Sequence, residues 1–212
     1  MLQVKTFVFN PFQENTYLLY DETGECAIVD PGMLFDAEKQ QLSQAIETMG
    51  LKPVKILQTH LHLDHVFGLQ YAVDTYGLKP EAHADDLFLI SQTKDYARQF
   101  GVNMDANPPM PETILNEGDL VKFGNTTLSV IHVPGHSPGG ILFYNAEHKI
   151  LVAGDVLFQG SVGRSDLPGG NHHLLIDTIN EKLMVLPDDV TVFPGHGPQT
   201  TIGNERNSNP FL

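Results

Sequence analysis

The sequence is poor in cysteine and has no long hydrophobic run. Cys26 is the only cysteine among 212 residues, which excludes an internal disulfide and a zinc site made of several thiolates. Its position in the apolar run 26–29 is typical of a buried strand residue, not of a nucleophile. No run approaches the roughly 20 apolar residues of a membrane helix, and residues 1–6 lack the apolar stretch of a signal peptide. We therefore predict a cytoplasmic protein without a membrane partner.

Positive charge is also scarce. There are 12 Lys and Arg residues and 26 Asp and Glu residues, so the formal net charge is −14. Such a surface repels phosphate backbones and anionic lipids, which argues against nucleic acid and membrane surfaces as partners and leaves a small-molecule substrate. The apolar fraction of 41% is ordinary for a globular protein with a sizeable core. At this length we predict a single domain, residues 1–212, of unspecified oligomeric state.

Hydrophobic periodicity predicts two halves in which strands come first and a helix follows. Residues 103–111, rich in turn-forming residues, separate them. In the first half we predict strands at 4–8, 17–20, 26–29 and 54–57, and helices at 36–49, 66–76 and 85–100. In the second half we predict strands at 120–123, 127–133, 140–144, 149–153 and 191–193, and a helix at 171–186. Asp36 is the expected N-cap of the first helix. Two sheets covered by helices and fused through one core are the simplest architecture.

The densest chemical signal is the segment 60–65, which we call the histidine segment. It carries His60, His62, Asp64 and His65 directly after a predicted strand. Imidazole and carboxylate groups suit a borderline divalent metal. In extended backbone His60 and His62 point to the same side, as two ligands of one ion require. A chain turn at Leu63 would direct Asp64 and His65 toward a second ion.

Three further segments each combine a hydrophobic strand, a tight glycine turn and one residue that can bind a metal. Their metal-binding residues are His136, Asp155 and His196. Glycine permits close approach of the backbone, and the end of a strand gives the ligand a rigid base. Together with the histidine segment, these residues predict a metal centre of five histidines and two aspartates.

These motifs, in this order and spacing, resemble those of the metallo-β-lactamase superfamily and its glyoxalase II-like hydroxyacylglutathione hydrolases. The resemblance covers nearly the whole chain and implies an α/β fold, a four-layer αββα sandwich with metals at one edge of the sheets. It implies one metal on His60, His62 and His136. It implies a second metal on Asp64, His65 and His196, with Asp155 bridging the two. Zinc β-lactamases commonly have a cysteine at the place of Asp155 or lack the bridging carboxylate, which disfavours that branch.

The resemblance also extends to the loop 160–164, which is similar to the glyoxalase glycine–arginine loop. Arg164 would then bind an anionic part of the substrate, although a surface ion pair with Asp166 explains it equally well. Glyoxalase II proteins usually continue into a helical region that contacts glutathione, whereas this chain ends at Leu212, soon after His196. It therefore resembles a shorter bacterial branch, for which we expect weaker binding of glutathione.

Two ions that share Asp155, most simply zinc, would lower the pKa of a water between them and supply a bridging hydroxide. That chemistry predicts a thioester hydrolase acting on a small acyl-thiol, with Asp64 and Asp155 as catalytic residues that orient the nucleophile. Iron and manganese also suit these ligands. Two alternatives stay open: a mononuclear-iron persulfide dioxygenase of the same superfamily, and a lactonase or other ester hydrolase.

The other histidines are predicted to lie outside the metal centre. His132 is inside a predicted strand, where a core or surface role is the ordinary one. Solvated roles are expected for His83, His148, His172 and His173. Only His172 is close enough in sequence to the loop of Arg164 to line a pocket beside it.

Overall fold

Two six-stranded mixed sheets form the centre of the molecule in the computed structural model, which describes residues 1–212. The first sheet contains β1 to β6 in sequential order. Its strands are β1 (Gln3–Phe9), β2 (Glu14–Tyr20), β3 (Glu25–Val29), β4 (Lys52–Leu57), β5 (Pro80–Ala82) and β6 (Thr113–Ile114). The first three strands pair antiparallel, and β3 to β6 pair parallel.

The second sheet also has six strands, all from the second half of the chain. Its strands are β7 (Leu120–Phe123), β8 (Thr126–His132), β9 (Ile141–Asn145), β10 (Ile150–Gly154), β13 (Thr191–Pro194) and β14 (Thr200–Thr201). They lie in the order β14-β13-β10-β9-β8-β7, and β10 pairs parallel with β13. A separate hairpin joins β11 (Leu157–Phe158) and β12 (Ser161–Val162).

Helices cover the outer face of each sheet. The first sheet carries α1 (Asp36–Thr48), α2 (Leu69–Tyr76) and α3 (Leu87–Gln99). The second carries α4 (His172–Thr178), which continues as a π-helical turn (Ile179–Leu183), and α5 (Ile202–Ser208). The predicted four-layer αββα sandwich is therefore confirmed.

The central core lies between the two sheets. Successive residues of a strand point to opposite faces, so one strand contributes both to this core and to the layer under the helices. In β2, Leu19 packs into the core shared by both sheets, whereas Leu18 packs under α1. Both side chains are fully buried. Cys26 is fully buried beside Leu18, and burial raises the pKa of its thiol to about 12, which confirms its structural role.

The predicted helices are correct in place, but their starts differ. The N-cap of α1 is Phe35, not Asp36, because the Glu38 carboxylate accepts hydrogen bonds from the backbone N–H groups of Leu34 and Phe35. The segment 66–76 is helical only from Leu69, since a 3₁₀ turn (Leu63–His65) comes first. No helix of the protein is both long and apolar enough to cross a membrane.

The ends of four strands meet at one edge of the sandwich. These ends are Leu57 of β4, His132 of β8, Gly154 of β10 and Pro194 of β13. The loops that follow carry all seven predicted metal ligands. The fold thus collects at one edge residues that are far apart in the sequence.

Candidate metal centre

Three imidazoles form the first group of predicted ligands, which we call the imidazole site. His60 Nε2 lies 3.2 Å from His136 Nε2, and His62 Nδ1 lies 2.8 Å from the same atom. All three side chains are buried, and their ring nitrogens can converge on one ion. His60 and His62 come from the histidine segment, and His136 comes from the loop after β8. The structure therefore brings these predicted ligands together.

The tautomers in the imidazole site follow from the partners of the opposite ring nitrogens. His136 Nδ1 lies 2.7 Å from the Arg164 carbonyl, so this nitrogen donates and His136 Nε2 keeps a lone pair. Thr59 Oγ1 donates to Asp30 at 2.5 Å and therefore accepts from His60 Nδ1, 3.1 Å away. His60 Nε2 is left with a lone pair as well. Two lone pairs 3.2 Å apart repel each other unless a cation lies between them.

Burial keeps two rings of the imidazole site, those of His60 and His62, uncharged. It lowers the pKa of His60 well below the ordinary value, with nearby histidines adding to the effect. Burial and the neighbouring His136 lower the pKa of His62 to about 3. Both rings are neutral at neutral pH, which is the state in which histidine binds a metal.

The second group of predicted ligands, which we call the carboxylate site, contains Asp64, His65 and His196. His196 Nε2 lies 3.1 Å from Asp64 Oδ2, and His65 Nε2 lies 3.9 Å from the same oxygen. The other nitrogen of each ring is engaged, because His65 Nδ1 donates to Asp30 Oδ2 at 3.0 Å and His196 Nδ1 to the Phe12 carbonyl at 3.0 Å. Both Nε2 atoms therefore point to the shared centre.

Asp155 lies between the two sites. Its Oδ1 is 3.4 Å from His65 Nε2, while its Oδ2 is 3.5 Å from His196 Nε2 and 3.7 Å from His136 Nε2. Burial opposes its ionisation, but His65, His136 and His196 outweigh burial and hold the pKa of Asp155 well below its usual range. Asp155 thus presents a carboxylate to both sites.

The donor set fits divalent cations. His65 Nε2 and Asp155 Oδ1 are buried without a hydrogen-bond partner in the protein, which is costly unless something else satisfies them. Imidazole nitrogens and carboxylate oxygens converge here with no backbone N–H or hydroxyl donor among them. This combination suits zinc, iron or manganese.

Residues that the sequence analysis missed hold the ligands in place. Asp30 directly follows β3 and accepts from the backbone and hydroxyl of Thr59 and from His65. It adopts φ 48°, in the left-handed region, which non-glycine residues rarely occupy. Asp30 belongs to a strand end followed by Pro31-Gly32, so the pattern that singled out Asp155 also applies to it.

Two more buried carboxyl groups lie behind the ligands. Asp86 accepts from the Gly139 N–H at 2.6 Å, the Ser137 hydroxyl at 2.8 Å and the Leu61 N–H at 3.2 Å, and so links the histidine segment to the loop of His136. Glu14 is fully buried 4.0 Å from His65 Nδ1, and burial raises its pKa well above the ordinary value. Neither position is recognisable from the local sequence, because the groups of the metal centre that they contact are distant in the chain.

A glycine allows the loop of His196 to reach the centre. Asn15 fixes this loop, since its side-chain amide donates to the carbonyls of Pro194 and Gly197 at 2.9 Å each. A Cβ atom on Gly195 would collide with the Asp155 carboxylate and the His65 ring. Glycine is thus required here by close packing of backbone against ligands.

An open cleft of about 370 Å³ leads to the metal centre. Its walls are largely aromatic, formed by Phe12, Tyr96, Phe100 and Phe158, and Arg164 is the only cationic side chain among them. Arg164 also makes a bidentate ion pair with Asp166, at 2.7 and 2.8 Å. The surface ion pair with Asp166 is therefore observed, and Arg164 also lines the cleft, while its predicted role in substrate binding stays a prediction.

The remaining histidines lie outside the centre. His132 donates from Nε2 to the Pro138 carbonyl at 2.9 Å, and its ring stacks on His83 with 4.2 Å between centroids. The predicted solvated role of His83 is wrong, because the ring is buried and accepts a hydrogen bond from the Asp85 N–H. The ligand atoms of His83, Asp85 and His132 also lie near one another, but His83 Nδ1 and His132 Nε2 already have hydrogen-bond partners within the protein. His172 and His173 are exposed, as predicted.

Comparisons with known proteins agree with this geometry. Residues 9–196 match the family described as the metallo-beta-lactamase superfamily. Hydroxyacylglutathione hydrolase GloC of Haemophilus influenzae is 38% identical over 100% of this chain and 98% of its own. That relative has nearly the same extent as this chain, which confirms the resemblance to a short bacterial branch.

Two solved structures are similar over almost their whole length. The BLEG-1 B3 metallo-beta-lactamase has 36% identity and a TM-score of 0.90, with 99% of each chain covered. TTHA1623, whose structure is described as a di-iron-bound form, has 40% identity and a TM-score of 0.87, covering 98% of this chain and 100% of its own. The matched family segment, the fold and the buried histidine–aspartate cluster agree, and this chain belongs to the metallo-β-lactamase superfamily as one of its metallohydrolases.

Proposed function

We propose that the protein is a dinuclear thioester hydrolase of the hydroxyacylglutathione hydrolase type, acting on a small acyl-thiol. The observation that carries the proposal is the position of Asp155 between the two sites, with Oδ1 3.4 Å from His65 Nε2 of the carboxylate site and Oδ2 3.7 Å from His136 Nε2 of the imidazole site. Similarity to GloC over the full chain supports this substrate class. The net charge of −14 supports a reaction without nucleic acid or membrane partners.

In this proposal one ion is held by His60, His62 and His136, and the other by Asp64, His65 and His196, with Asp155 as shared ligand. We propose zinc at both positions, although the di-iron form of TTHA1623 makes iron the main competitor. Bound divalent ions supply Lewis acidity and a water of lowered pKa. The protein contributes rigid orientation, because the second nitrogen of four of the five histidines is fixed by Thr59, Asp30 or a backbone carbonyl.

Asp64 and Asp155 act as catalytic residues in this proposal by orienting the attacking water with their carboxylate oxygens. A thiolate leaves without a dedicated proton donor, because the pKa of an ordinary thiol is only about 8.5. The cleft fits this requirement, since no lysine or neutral carboxylic acid lines it.

Arg164 is the proposed substrate-binding residue. Its guanidinium group is held by Asp166, whose pKa it lowers to about 2. As the only cation on the cleft wall, it is positioned to pair with a carboxylate of the thiol part of the substrate. A substrate with several phosphate groups would find no further positive charge in this cleft.

The proposal is tested by following thioester loss and oxygen uptake side by side on metal-loaded protein. One cell contains S-lactoylglutathione and the other glutathione persulfide, and metal-stripped protein is the control in both. We expect metal-dependent thioester loss and no oxygen uptake. Oxygen uptake with the persulfide, and no thioester loss above the control, would replace the hydrolase with the dioxygenase.

β-Lactam hydrolysis is a second candidate function, and one observation favours it. The similar structure BLEG-1 is described as a B3 metallo-beta-lactamase. A third cell with a chromogenic cephalosporin separates the two candidates, since both reactions need the same metals. Turnover of the cephalosporin above that of S-lactoylglutathione would make the β-lactam the better substrate, whereas we expect the thioester to be the faster one.

A further inference from the structure

The hairpin of β11 and β12, which we call the wall hairpin, supplies part of the cleft. Phe158 of β11 lines the cleft, and its ring centroid lies 6.4 Å from that of the His196 ring. Arg164 follows β12 by two residues and lines the cleft as well. A substrate in the cleft therefore contacts this segment in addition to the metal centre.

The base of the wall hairpin is attached to the metal centre. The Gly163 N–H donates to the Val156 carbonyl at 3.2 Å, and the Arg164 carbonyl accepts from His136 Nδ1 at 2.7 Å. A Cβ atom on Gly163 would collide with the Asp155 carbonyl, so the two chain segments pack closely there. These contacts fix the base of the hairpin without any contribution from its tip.

The tip of the wall hairpin has little support of its own. Only two residue pairs join the strands, Leu157 with Val162 and Phe158 with Ser161, and the hairpin belongs to neither six-stranded sheet. A two-stranded hairpin is only marginally stable by itself in water. The turn at 159–160 is exposed, so another element must hold the tip in place.

The side chain of Glu205, in α5, holds this tip. Glu205 is 1% exposed, and its Oε2 accepts from the Gly160 N–H at 2.8 Å. The Asn209 side-chain amide donates to the same oxygen at 2.8 Å and to the Ser161 carbonyl at 3.0 Å. Glu205 Oε1 accepts from the Thr200 hydroxyl at 2.6 Å. Both carboxylate oxygens are thus satisfied within the protein, and one of them is bonded directly to the hairpin.

Helix α5 has its own attachment to the body of the protein. Ile202 is fully buried in the core on the outer face of the second sheet. Arg206 donates to the carbonyls of Met184 at 3.0 Å and Leu186 at 2.6 Å. Removal of the Glu205 side chain should therefore leave the helix in place and release the hairpin tip.

Resting on the proposed thioesterase function, we propose that Glu205 is a positioning residue for substrate binding, which holds the wall hairpin so that Phe158 stays in the cleft wall. Glu205 does not line the cleft itself. Because the base of the hairpin is held separately, loss of Glu205 should loosen the wall without disturbing Asp155 or His136. Substrate binding then weakens while the metal-dependent step is unchanged.

The test measures kcat and KM of metal-loaded wild type, Glu205→Ala and Glu205→Gln with S-lactoylglutathione. For Glu205→Ala we expect KM to rise about tenfold with kcat changed by less than about twofold, since binding must then order a loose wall. Glu205→Gln should keep a KM close to that of the wild type. Its amide oxygen can still accept from the Gly160 N–H, and its amide N–H can donate to the Thr200 hydroxyl.

Thr200→Val is the matched control, because Thr200 bonds the other oxygen of Glu205 and makes no hydrogen bond to the wall hairpin. It should lower the unfolding temperature and leave KM unchanged. Elemental analysis and thermal unfolding identify the variants that are folded and metal-loaded. Calorimetry with the non-hydrolysable thioether S-methylglutathione supplies a readout independent of turnover, and we expect weaker binding to Glu205→Ala only.

The outcomes separate this inference from the proposed function. An unchanged KM in folded, metal-loaded Glu205→Ala would overturn the role of Glu205 and leave the thioesterase standing. An equal rise of KM in Thr200→Val, or a loss of metal together with a fall in kcat, would also overturn it, since Glu205 would then support the fold or the metal ligands. No turnover of S-lactoylglutathione by the wild type, in protein that hydrolyses another substrate, would overturn the proposed function and this inference together.

Discussion

Asp21 and Asp155 are carboxylates with little exposed surface at opposite ends of the sandwich, and they differ in the groups that surround them. Asp21 follows β2 and accepts hydrogen bonds from the Thr23 N–H and hydroxyl, the Asn125 N–H and the Thr126 hydroxyl. It ties the β2–β3 turn of one sheet to the β7–β8 turn of the other. Asp155 accepts no hydrogen bond from the backbone or from a hydroxyl, and its Oδ1 is buried without a partner.

The difference separates a structural carboxylate from a ligand-binding one. A buried charge is stable when donors surround it, and a fold that buries a carboxylate with no donors must gain its stabilisation from a cation. At the Asp21 end the protein itself supplies the donors. At the Asp155 end it supplies no backbone N–H or hydroxyl but the imidazoles of His65, His136 and His196, so the charge of Asp155 is balanced by these rings or by the metal ions that they can bind.

The largest expected effect comes from Asp155→Ala, which removes the ligand shared by both sites. Wild-type protein should hold close to two divalent metals per chain, and the variant should lose metal from both sites. Hydrolysis should fall on the order of a thousandfold, because the attacking water loses its orientation and activation. Elemental analysis and thioester assays measure the two effects.

Asp166→Ala is the control for that experiment, since Asp166 is an exposed carboxylate in the loop after β12. Its loss should leave the metal content unchanged. The comparison between the two ends would fail if Asp155→Ala kept two metals, or if the metal-free variant unfolded at a much lower temperature than metal-free wild type. The second result would make Asp155 a structural carboxylate like Asp21.

Asp21→Ala should give the reverse pattern, with lower stability and unchanged metal content. Burial raises the pKa of Asp21, but hydrogen bonds from Thr23, Thr126 and Asn125 outweigh burial and lower the pKa to about 2. A lowered pKa in the folded state stabilises the fold above the unfolded pKa of about 3.9, and this contribution is lost as the pH falls toward 2. We expect a loss of about 1.5 kcal/mol at neutral pH, since nearby solvent screens part of the charge.

Urea unfolding of metal-free protein at pH 7 and pH 3 measures this contribution. The gap between wild type and Asp21→Ala should be smaller at pH 3. Asp105→Ala, at an exposed position, is the control and should change neither value. A gap that is equal at both pH values would mean that the ionised form of Asp21 does not stabilise the fold.

The sequence predicts residues that follow a local pattern but not residues whose partners are distant in the chain. The sequence predicts His60, His62, His136, Asp155 and His196 as ligands because each lies within a few residues of the end of a strand, which is a local pattern. Asp86 carries no such pattern, since its partners lie 25, 51 and 53 residues away. Asp21 has one local partner, Thr23, but its contacts to the other sheet are 104 and 105 residues away. Hydrogen bonds of this kind are visible only once the chain has folded.

Short strands are also hard to predict from the sequence, because they depend on distant parts of the chain. The strands β5 and β6 are three and two residues long and were missed, because they form only as extensions of the parallel sheet beside β4. The aromatic walls of the cleft were missed for a similar reason. Phe12, Tyr96 and Phe158 belong to three separate segments, so no periodicity in the sequence connects them.

The smallest expected effect belongs to His132→Ala. This variant tests whether a histidine that is hydrogen-bonded within the protein can be distinguished from His136, a predicted metal ligand four residues later. His132 donates to the Pro138 carbonyl at 2.9 Å and stacks on His83, so all its observed contacts are within the protein. His136 presents its Nε2 lone pair to the imidazole site. We therefore expect His132→Ala to keep the metal content of the wild type, while His136→Ala loses the metal of the imidazole site.

Elemental analysis of the two variants, prepared in parallel, measures their metal content. If His132→Ala lost a metal and His136→Ala kept both, the third ligand would be misassigned, and satisfied hydrogen bonding would no longer distinguish structural groups from ligands in this protein.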